Sequence, residues 1–289
     1  MSALEHSSAT IALSVKESAE HLNADMDNLK SDMTTRKITI QAYSSKHPPP
    51  SSDIAEEEDG LGPILMTKTV SFLRHGQGFH NLLADMYRKS GIDWIQFSHS
   101  EQNPYVKPEV TDSPLTHKGR LQAEAHQVTT VTSGVELVVV SPQCRAVQTG
   151  LLAYQHLNNI GTTKFVANEN VREESGIHLC DKRRSRTQAE KEFPNVDWSD
   201  IKHDEDPIFQ NDHRENKSEV GERIYNFLLW LQSRDEKVVA VASHSGWLMT
   251  LFNGVCVTDE KEKSGLRQWF QTGEMRTVTL VWRGERSRI

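Results

Sequence analysis

The chain alternates between short apolar runs and longer stretches of helical periodicity. Thr67–Leu73 and Lys237–Ala242 are β-branched and apolar, and Val135–Val140 is more strongly so. Near-continuous runs of this length predict buried strands of a parallel sheet covered on both faces. Thr277–Trp282 alternates apolar with polar positions and predicts an edge strand. Between these runs, Thr116 is a predicted N-cap for a helix to about Val128, and Gln143–His156 predicts another. Ser218–Arg234 places Ile224, Phe227, Leu228 and Leu231 on one helical face. Strands alternating with helices predict a three-layer α/β/α sandwich around a mostly parallel central sheet.

Before Pro63 the pattern differs. Ile11, Val15, Leu22, Met26, Leu29 and Met33 recur at helical spacing, and Ile38, Ile40 and Ala42 alternate as in a short strand. This segment includes a Pro48–Ser52 run, a Glu56–Asp59 run and one aromatic, Tyr43. Its composition offers too little apolar surface to fold alone. The division is therefore an N-terminal extension, 1–62, and a catalytic domain, 63–289. The helix in the extension is expected to dock on the main domain; the alternative is a coiled coil or a surface for a protein partner. Leu82–Pro114, with Tyr87, Trp94, Phe97 and Tyr105, is an insertion that either shapes a substrate or forms a flap.

Charge sharpens that boundary. The chain has 33 basic and 40 acidic residues, and residues 1–62 alone hold 11 acidic against 5 basic. The acidic balance argues against a nucleic-acid partner. No apolar stretch reaches the ~20 residues of a membrane span. Three scattered cysteines predict no disulfide scaffold, and the 13 histidines form no HExxH pattern, so neither metal nor cofactor is expected. Few cysteines and no signal peptide predict a cytoplasmic protein, with the Lys182–Arg186 basic run as a weak signal for the nucleus.

Ligands of such sheets bind beyond the C-terminal ends of the strands. The residues at those exits are Arg74-His75-Gly76 after the first strand, Ser141-Pro142-Gln143-Cys144-Arg145 after the second and Ser243-His244-Ser245-Gly246 after the third. Arginine forks bind phosphate oxygens in a bidentate way. Histidine can attack phosphorus and hold the phosphoryl group covalently. Gly76 permits a sharp turn with backbone close to a ligand.

Arg74-His75-Gly76 with Asn81, Leu115-Thr116-x-x-Gly119-x-x-Gln122-Ala123, Ser141-Pro142-x-x-Arg145-Ala146-x-Gln148-Thr149 and Ala242-Ser243-His244-Ser245-Gly246 resemble the histidine phosphatase, or phosphoglycerate mutase-like, superfamily. Arg172-Glu173-Glu174-x-Gly176-x-His178-x-Cys180-Asp181-Lys182-Arg183-Arg184-Ser185 resembles a eukaryotic phosphoglycerate mutase-like subgroup. The resemblance implies His75 as nucleophile, with Arg74, Arg145, His244 and Asn81 around the phosphate. It implies Glu173 as proton donor, with Glu174 as runner-up, and no metal. A small phosphorylated metabolite is the implied substrate. Gln77 replaces the glutamate of the mutase motif, which favours hydrolysis over transfer. The alternatives are a mutase-type phosphotransferase and a non-catalytic phospho-ligand scaffold. Arg183 and Arg184 are candidate ligands for a second anionic group, against a plain solvated loop.

Overall fold

The computed structural model describes residues 23–45, 49, 62–92, 102–160, 163–258 and 265–284. Ile11, Val15 and Leu22, most of the proline and acidic runs, Trp94 and Phe97 lie outside the described residues. A six-stranded sheet forms the centre, in the order β1-β6-β2-β5-β3-β4. The strands are β1 (Thr39–Ser44), β2 (Ile64–Arg74), β3 (Leu137–Val140), β4 (Lys164–Ala167), β5 (Val238–Ser243) and β6 (Met275–Arg283). β2, β5, β3 and β4 run parallel, while β6 is antiparallel to both β2 and β1.

Alternation along each strand explains the two covered faces. Val70, Phe72, Leu137, Val139, Val239 and Val241 point into one core, shared with the helix Lys217–Gln232. Leu73, Val138, Val140, Ala240 and Ala242 point into the other, shared with the helix Cys144–Ala153. The result is a three-layer α/β sandwich. Of the predicted long helix after Thr116, only His117–Glu124 is continuous; Gln127–Thr130 is a separate turn of helix. Thr116 caps the first, its hydroxyl accepting from the Gly119 N–H at 3.1 Å.

One strand expectation is corrected. Met275–Arg283 is not an edge, because β1 pairs along its outer side from Thr39–Arg283 to Ser44–Val278. The edge strand comes from the acidic N-terminal segment. A helix over 23–34 precedes it and packs on the same face of the sheet through Leu29, with Met26 and Met33 half-buried beside it. Leu29 is fully buried, and sequestering such a side chain contributes roughly 2 kcal/mol. Its methyl groups sit against Gly221 and Gly254, where an added Cβ would come within 2.3 and 2.5 Å of them. Arg36 pairs with Glu222, and the Tyr225 hydroxyl donates to the Ile38 carbonyl at 3.3 Å. Residues 23–44 thus pack as part of the sandwich, although their composition resembles that of a tail.

Candidate active site

The parallel register brings three strand exits to one edge of the sheet. Arg74 stands opposite Ser243, and Val140 opposite Ala242. The ladder continues past the strand ends: the His75 N–H donates to the Ser243 carbonyl at 2.9 Å, and the Ser141 N–H to the Ala242 carbonyl at 3.0 Å. Arg74, His75, Ser141 and His244 therefore begin neighbouring loops at one level. Arg74 and His75, with Arg145 on the helix after Ser141 and Glu173, line a cavity of about 830 Å³, while Ser141 and His244 are fully buried at that edge.

The other motif residues hold this edge in place. The Gly76 N–H donates to the Thr149 hydroxyl at 3.1 Å, and that hydroxyl donates to the Arg145 carbonyl at 2.7 Å. The Gln77 N–H donates to Gln122 at 2.8 Å, and the Leu115 N–H to Gln148 at 2.8 Å. A Cβ on Gly76 would lie 2.2 Å from the Gly119 carbonyl oxygen, and one on Gly119 would lie 2.2 Å from that of Gln77. Only two glycines let the loop after β2 and the start of the helix His117–Glu124 approach this closely. Gln77 also accepts from the Thr116 hydroxyl at 2.9 Å.

His75 is buried, and its Nδ1 lies 2.7 Å from the Gly76 carbonyl oxygen. A carbonyl only accepts, so Nδ1 carries the proton and Nε2 keeps its lone pair. The His244 ring centroid is 5.0 Å away. Its Nε2 pairs with the Ser141 hydroxyl at 2.8 Å, and its buried Nδ1 has no partner among the described residues. Arg74 donates to the Phe270 carbonyl at 2.6 Å, and Arg145 to the Cys180 carbonyl at 2.6 Å and to Asp181 at 2.9 Å. The Nε groups of both arginines are buried without a partner among the described residues. A buried donor left unmade costs about 1–3 kcal/mol. Two such donors beside the His75 imidazole match what an incoming anion would satisfy. Asn81 also lines the cavity, its side chain accepting from the Gly78 N–H at 3.0 Å.

Glu173 accepts from the Gly246 and Trp247 N–H groups at 3.1 and 3.0 Å and from the Ser245 hydroxyl at 3.3 Å. These donors open the helix Ser245–Thr250 just after His244, so Glu173 and His244 are tied to one element. Glu174 also lines the cavity but pairs with Lys217 and, at 3.7 Å, with Arg214.

Two predicted contacts are corrected. Arg183 and Arg184 do not reach the cavity. Arg183 is buried against Glu169 at 2.8 Å and the carbonyls of His203, Asp204 and Glu205. Arg184 pairs with Asp112 at 2.7 Å and with Glu192. Both guanidinium groups are taken up by the loops they join. Conversely, sequence reasoning assigned no role to His80, Asp181, Arg214 or Lys217, which line the cavity, and placed Tyr105, which lines it too, only within the Leu82–Pro114 insertion. His80 is buried with its ring centroid 5.5 Å from that of His75, and its Nδ1 pairs with the Ser113 hydroxyl at 2.8 Å. His80 and Asp181 lie inside the motif blocks and were visible there; Arg214 and Lys217 belong to no motif.

Burial, then the positive charge of Arg145, holds the imidazoles of His75, His80 and His244 well below their usual pKa. Unfolded, each takes a proton near pH 6.5. Folded, each resists protonation until well below that. Over this interval the unfolded chain binds more protons, so stability rises with pH. The ligand-free protein is expected to lose stability progressively as pH falls below about 6.5. Urea midpoints between pH 7.5 and 5 check this; a flat profile would contradict three buried neutral histidines.

The histidine phosphatase superfamily (branch 1) model matches residues 99–288. The chain belongs to that superfamily, whose chemistry here is of the phosphatase or mutase type. The Arg74-His75-Gly76 exit lies N-terminal to the matched span. A phosphoglycerate mutase-like protein of Arabidopsis thaliana is 28% identical over 78% of this chain and 89% of its own. Phosphoglycerate mutase-like protein 2 of the same plant is 26% identical over 96% and 90%. A probable phosphatase of Schizosaccharomyces pombe is 25% identical over 61% and 74%. Among solved structures, mycobacterial glucosyl-3-phosphoglycerate phosphatase with VO3 is similar at 18% identity, covering 73% of this chain and 90% of that one, with a TM-score of 0.41. Among the described residues, no helix is long and apolar enough to cross a membrane.

Proposed function

We propose that this chain hydrolyses phosphomonoesters of small molecules through a phosphohistidine on His75. The observation that carries this reading is the paired state of the strand-exit side chains. His75 has Nδ1 committed to a carbonyl, which leaves the lone pair on Nε2, beside two buried guanidinium groups whose Nε–H donors, like the Nδ1 of His244, have no partner among the described residues. In the first step, Nε2 attacks phosphorus and the ester P–O bond breaks. Its electron pair stays on the leaving oxygen, which takes a proton from Glu173. Arg74, Arg145 and His244 stabilise the charge on the transferring oxygens. In the second step, water attacks the phosphohistidine, gives its proton to the Glu173 carboxylate, and free phosphate leaves with His75 restored. Asn81 is a further donor to phosphate oxygen.

A mutase would share the first step and pass the phosphoryl group to a second hydroxyl. Gln77, held by the Thr116 hydroxyl in place of a mutase glutamate, favours water as acceptor. The test is phosphate release from a panel of phosphomonoesters with EDTA present, together with alkaline quenching to trap an acid-labile phosphoenzyme. Stoichiometric trapping with multiple-turnover release is the expected result. Trapping with transfer to an added alcohol but no free phosphate would turn the reading to a mutase. Absence of both trapping and phosphate release would refute it.

A further inference from the structure

The helix over 23–34 does more than cover the core. Leu29 fills a socket made by Gly221 on the helix Lys217–Gln232 and Gly254 in the turn Leu251–Val255. Those two elements also carry or continue the cavity wall. Lys217 lies one turn before Gly221 and lines the cavity; Met249 lies just before the Leu251–Val255 turn and lines it too. On the docking helix, residues three and four apart share a face. Met26, one turn before Leu29, therefore reaches the same wall. Its sulfur lies 2.8 Å from where a Cβ of Gly254 would stand, and its side chain lines the cavity.

The character of that wall follows from what is already paired. Away from the phosphate pocket, Arg88 is bound to Asp85 at 2.6 Å, Arg214 to Asp181 at 2.9 Å and Lys217 to Glu174. Their charge is met within the protein. Met26 and Met249 are half-buried, and Trp269 is 50% exposed at the cavity with its ring 5.5 Å from the Arg74 guanidinium. Thioethers and an indole face offer adaptable apolar contact.

We propose that Met26 is a specificity-determining residue. On this assignment the N-terminal helix supplies one wall of the leaving-group site, and the preferred substrates are phosphomonoesters whose leaving group has an apolar face. This rests on the hydrolase reading above and narrows its substrate class. Met26 contacts the leaving group and leaves the phosphate pocket to Arg74, Arg145 and the histidines.

The test compares wild type, Met26→Ala and Met26→Leu on phenyl phosphate and 1-naphthyl phosphate, with inorganic phosphate as competitive inhibitor. Loss of a methylene-scale apolar contact changes discrimination about tenfold. Met26→Ala is therefore expected to raise KM for the naphthyl ester about tenfold relative to the phenyl ester. It should leave kcat and the inhibition constant of phosphate near wild type, and Met26→Leu should restore most of the preference. An unchanged ratio of the two esters, or a parallel loss of phosphate affinity, would overturn the assignment while leaving the hydrolase intact. No turnover by the wild type on either ester, with phosphate released from other members of the panel, would overturn the apolar preference; no release from any ester would overturn the hydrolase reading itself.

Discussion

Replacing His75 with alanine is expected to lower phosphate release by a factor on the order of 10⁴ or more, as removal of a covalent nucleophile does. His80 and His244 are the neighbouring imidazoles, with ring centroids 5.5 and 5.0 Å from that of His75. The substitution removes a buried ring but leaves both arginines fixed by other partners, Phe270 for Arg74 and Cys180 with Asp181 for Arg145. Inorganic phosphate should thus still bind the variant, while the trapped phosphoenzyme disappears. Rates and phosphate affinity measured together separate this from collapse of the pocket, in which both would be lost. A variant that retained more than about a hundredth of the wild-type rate would place the nucleophile elsewhere.

Most of the site was legible because its residues follow strands. An apolar run rich in β-branched residues marks a parallel strand, and fold geometry then says that the next residues face ligand. Arg74, His75, Ser141 and His244 follow from that alone. Thr116 was legible as a cap; Gly76 was read as bringing backbone close to a ligand, whereas what crowds it is the Gly119 carbonyl. Arg183 and Arg184 misled because their partners are remote in sequence: Glu169 lies 14 residues before Arg183, and Asp112 lies 72 before Arg184. A basic run carries no sign of whether such carboxylates will meet it. β6 misled for a related reason. Its alternation suggested one wet face and a free edge, but the free edge passed to β1, from a segment whose acidity resembled that of a tail. Leu29 explains how that segment is held: one fully buried leucine in a glycine socket outweighs the average polarity of its neighbours.

Asp181→Asn is the second substitution expected to act strongly, through position rather than chemistry. The Asp181 carboxylate is buried between two guanidinium groups, with Arg145 at 2.9 Å on one oxygen and Arg214 at 2.9 Å on the other. Burial alone would raise its pKa, but Arg214 and Arg145 outweigh burial and hold it below the usual carboxylate range. Its contribution to stability is therefore present above about pH 4 and lost as pH falls below that value. The amide keeps the shape and removes the charge, leaving buried Arg145 without its counter-ion and half-buried Arg214 with Glu174 at 3.7 Å. Breaking a buried pair in this way costs about 3–5 kcal/mol. Arg145 also loses one of the two contacts, Asp181 and the Cys180 carbonyl, that hold its guanidinium at the cavity, and misplacement of about 1 Å costs on the order of 10² in rate. Denaturant unfolding at neutral pH measures the first effect, and kcat with the phosphate inhibition constant measures the second. A structural role alone would lower stability and spare both kinetic constants in the fraction that stays folded. Weakened phosphate inhibition in that fraction is the mark of Asp181 as the residue that aims Arg145.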